Sequence, residues 1–333
     1  MSTKKEQHYI PQKYLKAWNN PSIFWLHNGK IESRNVKSIA REKYFYEFKP
    51  CTQAEIEFVK AIYVDDAKIK AIKEFAEDWL KFCTTISNYN YFYIILNDRL
   101  TEMIKVHGDI GGFNVKQTLS ETAKEIKKFN ANTIEDEYSE LENEAEIRVL
   151  SKLRRGDAGV LEDKKLKWLL HRYIWSQFFR TNNIKELILP TLRESGKNLL
   201  EQFPEAKPIN MDLIYMLLIP IFAFNAAYMK SGNATYLLIN NTSLPFITGD
   251  QPVINLAYEE RDERGFVKDV EDIYFPISPR YAIIIATKDI NKLFSNTNNL
   301  SLEEVKKLND TIAKLSFEQL YASSKEVLKA YIV

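Results

Sequence analysis

The sequence predicts an α+β fold, on three observations. Apolar residues recur at helical spacing through a long middle, from residue 53 to 230. A hairpin signal precedes that middle, and strand-like apolar runs follow from residue 234. Glycine is scarce, 10 in 333 residues, while Tyr and Phe number 18 and 19, a balance that favours long helices with few tight turns. The expected architecture is a mainly helical middle beside a mixed β-sheet built from the N-terminal hairpin and the C-terminal strands. These lie far apart in the chain, so they join only by a non-local pairing.

The hairpin is the sharpest element. Ser22-Ile23-Phe24-Trp25-Leu26-His27 is followed by Asn28-Gly29 and then by Lys30-Ile31-Glu32-Ser33-Arg34. Asn-Gly supplies the two positive-φ residues of a type I′ turn. An irregular stretch, 36–48, ends in the aromatic cluster Tyr44-Phe45-Tyr46. Helical spacing then runs through Ile56, Val59, Ile62, Ile69, Ile72, Phe75, Ala76, Trp79, Leu80 and Phe82, and three glycines between 108 and 114 interrupt it.

Two helices are expected next, over 116–129 and 134–153. The second carries Glu135, Asp136, Glu137, Glu140, Glu142, Glu144 and Glu146. No histidine accompanies these acids, and Lys152, Arg154 and Arg155 follow closely, so they read as a solvated charged face rather than a metal site. Residues 164–189 read as one amphipathic helix ended by Pro190, and a helical hairpin over 191–202 and 211–230 follows. Strands are expected over 234–240, 245–256, 274–286 and near 320–323. The last helix, 301–315, opens with Ser301-Leu302-Glu303-Glu304, a capping box. No repeat or low-complexity linker divides the chain. A single integrated domain over 1–333 is expected, with a helical portion at 53–230 and β-containing portions at 1–50 and 234–333.

Composition narrows the function. A formal net charge of +1 does not suit a protein whose whole surface grips nucleic acid, so any such contact is local. Cys51 and Cys83 are too few for a zinc site and fit a reducing compartment. The first eight residues lack the apolar core of a secretory signal. Residues 213–229 are apolar and uncharged but fall short of the roughly 20 needed to span a bilayer. They read as a buried helix kinked or interrupted at Pro220. A cytoplasmic protein without membrane contact is the expectation.

Chemistry concentrates in a few strings. His8 is suited to proton transfer near neutral pH, with Tyr9 and Tyr14 beside it as hydrogen-bonding groups and Pro11 stiffening the backbone. The plain alternative packs His8 under the hairpin. Asp250 follows a strand, between Gly249, read as permitting an unusual backbone angle, and Gln251-Pro252. It either projects as a site carboxylate, with a divalent metal as a possible ligand, or closes a turn. Tyr173, Gln177 and Arg180 share one helix face, with Thr181 next to it. Gln177 and Arg180 either hold a phosphate or carboxylate, or Arg180 is buried against a structural acid, with Asp250 a candidate. Trp168, His171, Trp175 and Phe178 line another face and read as core. Phosphate-binding glycine loops, nucleophile elbows and zinc-protease motifs are absent.

These strings resemble a bacterial family known as domain of unknown function 4238. The resemblance rests on Gln7-His8-Tyr9-Ile10-Pro11-Gln12-Lys13-Tyr14-Leu15, Tyr44-Phe45-Tyr46, Gln177-Phe178-Phe179-Arg180-Thr181, Thr248-Gly249-Asp250-Gln251-Pro252-Val253, Phe275-Pro276-Ile277-Ser278-Pro279 and Asn309. Gly249 departs from the pattern, which leads one to expect serine before that Asp. The resemblance spans nearly the whole chain and marks residues without supplying a reaction.

The leading expectation is a hydrolase, a nuclease or nucleotide phosphodiesterase serving in defence or as a toxin. His8 and Asp250 would be catalytic, with Asp250 orienting His8 or holding a metal. Tyr9, Tyr14, Gln177, Arg180, Thr181, Gln251 and Asn309 would bind the substrate, a nucleic acid or nucleotide. The alternative is a non-catalytic sensor or protein-interaction module with a protein partner, in which the same residues cement the fold.

Overall fold

A computed structural model describes residues 5–107, 115–202, 209–258, 272–287 and 289–332. In chain order, β1 (Glu6–His8) leads through Pro11 into the short α1 (Gln12–Leu15), and β2 (Ser22–His27) and β3 (Lys30–Asn35) form the hairpin ahead of β4 (Arg41–Lys43). The helices α2 (Gln53–Val59), α3 (Lys70–His107), α4 (Val115–Ala145), α5 (Ser151–Leu153), α6 (Lys164–Phe179), α7 (Asn182–Gln202) and α8 (Met211–Lys230) follow. Strands β5 (Ala234–Ile239), β6 (Thr248–Gly249), β7 (Ile254–Asn255), β8 (Ile273–Pro276) and β9 (Tyr281–Ala286) come next, then α9 (Leu302–Leu315), β10 (Gln319–Ala322) and α10 (Lys325–Leu328). The fold is α+β and 60% helical.

The chain forms two compact units, each drawn from three stretches: 1–7, 43–139 and 188–221 in one, 8–42, 140–187 and 222–333 in the other. β1 pairs with β4.

The first unit is helical. Thr52 and Glu55 close a capping box on α2, and the second oxygen of Glu55 accepts the Asn210 N–H at 3.1 Å. Gln7, fully buried, donates to the Ala131 carbonyl at 2.5 Å and accepts the Tyr46 N–H at 2.6 Å. α4 is continuous where two helices were expected. Asn130 exchanges amide hydrogen bonds with Asn90 at 3.1 and 2.7 Å, so its side chain does not compete for the helix backbone. α4 passes into a π turn at Glu146–Leu150. The predicted break at 108–114 lies outside the described residues.

α8 is long and apolar enough to cross a membrane by length and composition, and 56% of its apolar window is buried inside the protein. Pro220 sits inside this helix instead of interrupting it. Near it, the Leu217 carbonyl accepts the Trp79 indole N–H at 2.9 Å.

The second unit holds two antiparallel four-stranded sheets, ordered β3-β2-β10-β6 and β5-β9-β8-β7. Asn28 and Gly29 adopt φ of 50° and 70°, as the type I′ turn requires. The hairpin meets the C-terminal strands through β10, with Leu320 opposite both Leu26 and Gly249. One mixed sheet was expected, but every one of these pairings is antiparallel and the late strands divide between two sheets. The stretch 245–256 yields β6 in one sheet and β7 in the other because Asp250 to Pro252 turn the chain between them. Leu26, Tyr274 and Ile284 from the sheets, with Phe246 just ahead of β6, pack with Val305, Leu308 and Ile312 of α9. α9 begins with the predicted Ser301–Glu304 capping box.

The expected single helix over 164–189 breaks at Arg180 (φ −88°, ψ 6°), so α6 and α7 are separate. Pro190 lies within α7, not at a helix end. It is exposed, so water can satisfy the carbonyl its ring leaves without a donor.

Candidate functional site

Asp250 is the centre of a clasp in the second unit. α9 ends at Leu315, and beyond Ser316 three successive residues turn their N–H groups toward the Asp250 carboxylate. Phe317 N donates to Oδ1 at 2.7 Å, while Glu318 N and Gln319 N donate to Oδ2 at 2.7 and 3.0 Å. The Asp250 N–H returns a bond to the Gln319 carbonyl at 3.0 Å, continuing the β6–β10 ladder. Burial raises the carboxyl pKa from 3.8 to about 6, against the three N–H donors, which favour the charged form.

Gln319 extends the clasp. Its Oε1 accepts the Trp25 indole at 2.9 Å and the Tyr321 hydroxyl at 2.8 Å, and its Nε2 donates to the Tyr9 hydroxyl at 2.9 Å. Burial, with the Asp250 charge nearby, pushes the Tyr9 phenol far above its usual range. On the other flank, Thr181 donates to Gln251 Oε1, Gln251 Nε2 donates to the Val253 carbonyl at 2.6 Å, and Asn183 donates to the Leu315 carbonyl at 2.9 Å. One network therefore joins the α6–α7 junction, the Asp250 turn and the start of β10.

A cavity of about 190 Å³ opens at this clasp, lined by Tyr9, Arg41, Glu42, Asn182, Asn183, Asp250, Phe317, Glu318 and Gln319. Tyr9 and Asp250 are the two sequence candidates in its wall. His8 is absent from that lining, and its Nδ1 lies 3.3 Å from Gln12 Nε2, one helical turn away.

The other candidates are committed elsewhere. The Tyr14 hydroxyl donates to the Pro276 carbonyl and accepts from Thr248 Oγ1, both at 2.7 Å, in full burial. Asn309 accepts the Ile247 N–H at 3.0 Å and donates to the Pro245 carbonyl at 2.9 Å, fixing the run into β6. Arg180 is wholly buried and reaches Glu142 Oε1 at 2.5 Å and Gln177 Oε1 at 2.9 Å. Its acid is Glu142, not Asp250. The "solvated" acidic face is thus partly internal, because Glu146 likewise holds Arg154 at 2.5 Å, and Arg154 Nε donates to the Ile277 carbonyl at 2.8 Å. His171 is core, as expected, with Nε2 2.9 Å from Thr235 Oγ1 and a pKa lowered by burial to about 4.

Gly249 corrects a detail. Its φ lies outside the left-handed region, so no unusual backbone angle is involved. A Cβ here would stand 1.8 Å from Ser316 Oγ, 2.9 Å from Ser316 Cβ and 3.0 Å from the Gln319 carbonyl oxygen. The glycine is required by the close approach of the clasp.

The model of a family described as protein of unknown function (DUF4238) matches residues 6–326. This chain belongs to that family. No curated protein and no solved structure matches the chain. The DUF4238 match takes in stretches of both units, and four of the strings that carried the resemblance supply bonds just described: the one holding Gln7 and Tyr14, then Arg180-Thr181, Asp250-Gln251 and Asn309.

Sequence reasoning missed most of the cavity wall. Arg41, Glu42, Asn182, Asn183, Phe317 and Glu318 carry no motif. The one usable signal was position, since Asn182-Asn183 directly follows Arg180-Thr181. Among the described residues, no three His, Cys, Asp or Glu side chains gather as a metal would need.

Proposed function

We propose that this protein is a non-catalytic recognition module whose clasp cavity binds a small ligand bearing an amine or guanidinium group. The carrying observation is the charge of the wall: Glu42, Asp250 and Glu318 set three carboxyls against the single guanidinium of Arg41. Asn182, Asn183, Gln319 and the Tyr9 phenol add neutral hydrogen-bonding groups, and the Phe317 ring, half exposed, offers a face to a cation. A phosphodiester entering this wall would meet net negative charge, which disfavours it. Hydrolysis through His8 would also need the imidazole within reach of the substrate, and His8 is turned toward Gln12. For these reasons the nuclease and phosphodiesterase expectation is the less well supported of the two.

The test is calorimetric titration of the full chain with agmatine and spermidine, with inorganic phosphate and AMP as the contrasting probes. Binding of a polyamine or guanidine probe, weakened at least tenfold by Glu42→Gln with Glu318→Gln, is the expected result. Both residues are exposed, so the pair of changes leaves folding intact. Binding of phosphate or AMP in preference, or cleavage of bis-p-nitrophenyl phosphate that His8→Ala abolishes, would overturn the reading.

A further inference from the structure

A second surface, in the helical unit, has no part in the clasp. More than half of the large apolar side chains that stand exposed among the described residues fall within 25 residues of α3. On that stretch Cys83, Ile86, Ser87 and Asn90 are buried, and Tyr93 donates to the Leu119 carbonyl of α4 at 3.0 Å. A strip of the helix to one side of that buried face is exposed at 82, 85, 89, 92, 96, 99, 103 and 106. Those positions follow the alternating three-and-four spacing of a heptad seam through more than three heptads. They read Phe82, Thr85, Tyr89, Phe92, Leu96, Arg99, Met103 and Val106, with Ile95 on the flank. An outward seam with that period is the surface one helix presents to another in a coiled coil.

We propose that α3 is a dimerisation helix and that its seam packs antiparallel against α3 of a second copy of this chain. Charge selects both occupant and direction. In a parallel pair Arg99 would face Arg99, placing two like charges in one core layer. In the antiparallel pair residue i meets residue 188 − i, so Phe82 meets Val106, Thr85 meets Met103 and Phe92 meets Leu96. Arg99 then meets Tyr89, a guanidinium over an aromatic face. The area is also sufficient. With fractional exposures from 36% for Phe82 to 71% for Val106, the seven apolar side chains present roughly 700 Å², taking about 200 Å² for each when fully exposed. Stable interfaces of ordinary size bury about 600–1,000 Å² per partner, a range that includes this area.

The experiment is analytical ultracentrifugation of the full chain at tens of micromolar. The expected mass is twice the 38.9 kDa chain, falling to one chain for Phe92→Glu with Leu96→Glu. Both side chains are exposed in the single chain, so the variant keeps the wild-type circular dichroism spectrum, while its melting temperature loses the dependence on protein concentration that a dimer shows. Direction is read by disulfide trapping. An oxidised mixture of F92C and L96C chains cross-links between them, while F92C alone does not. A monomeric wild type, a dimer that survives the double glutamate variant, or efficient self-cross-linking of F92C would each overturn the proposal.

Discussion

Gly249→Ala is the most informative single perturbation of the clasp. The added Cβ falls 1.8 Å from Ser316 Oγ, 2.9 Å from Ser316 Cβ and 3.0 Å from the Gln319 carbonyl oxygen. The hydroxyl can rotate aside, but only by surrendering its 2.8 Å bond to the Ile312 carbonyl, a loss of about 1 kcal/mol. Ser316 Cβ and the Gln319 backbone cannot rotate away, and forcing them apart costs about 1–3 kcal/mol. The total is roughly 2–4 kcal/mol, which lowers the urea midpoint by about 1–2 M for a slope near 2 kcal/mol/M. Ser316→Gly removes the two closest atoms and leaves the Gln319 oxygen in place. The double variant G249A/S316G is therefore less destabilised than the sum of the singles by at least about 1 kcal/mol. A urea double-mutant cycle measures this directly. Additivity of the two changes to within about 0.5 kcal/mol would refute the claim that glycine is present to admit Ser316.

Two further predictions concern buried charge. Arg180→Ala strands Glu142 and Gln177 beside an empty site and costs about 3–5 kcal/mol, whereas replacing Arg180 and Glu142 together with methionine costs markedly less; thermal melting of the three proteins distinguishes these outcomes. The pH dependence of stability is set partly by two groups of opposite sign. His171 has a folded pKa of about 4 against 6.5, so its contribution is present above pH 6.5 and fades as pH falls toward 4. Asp250 has a folded pKa of about 6 against 3.8, so its contribution is largest below 3.8 and is lost as pH rises through 6. Each amounts to about 3 kcal/mol, and between pH 4 and 6 they largely cancel. His171→Gln removes the first, so the urea midpoint of that variant falls as pH rises from 4 to 6; a flat profile would refute the assignment.

Local chemistry made several elements legible in the sequence. Asn28-Gly29 leaves few turns open to the hairpin, Ser301 and Glu304 satisfy each other's N–H groups wherever the helix packs, and the apolar spacing of α3 gives a helix whatever covers it. Asp250 and Arg180 stood out as well, because charged side chains in apolar strings must find partners when buried, whereas Asn309 was marked only by the family resemblance. Their partners were not visible. Nothing near Arg180 in the sequence points to Glu142, which looked like one acid among seven on a solvated face, and nothing near Asp250 points to the N–H groups of Phe317, Glu318 and Gln319. Backbone donors have no side-chain signature, and the pairing spans 67 to 69 residues. The α6–α7 break escaped for the same reason, since burying Arg180 against Glu142 overrides a periodicity that continues past it. The sequence alone determined which residues must be satisfied and which segments are helix or strand. Only the tertiary structure decided which of them meet, because that choice depends on non-local closure and on backbone groups that every residue carries alike.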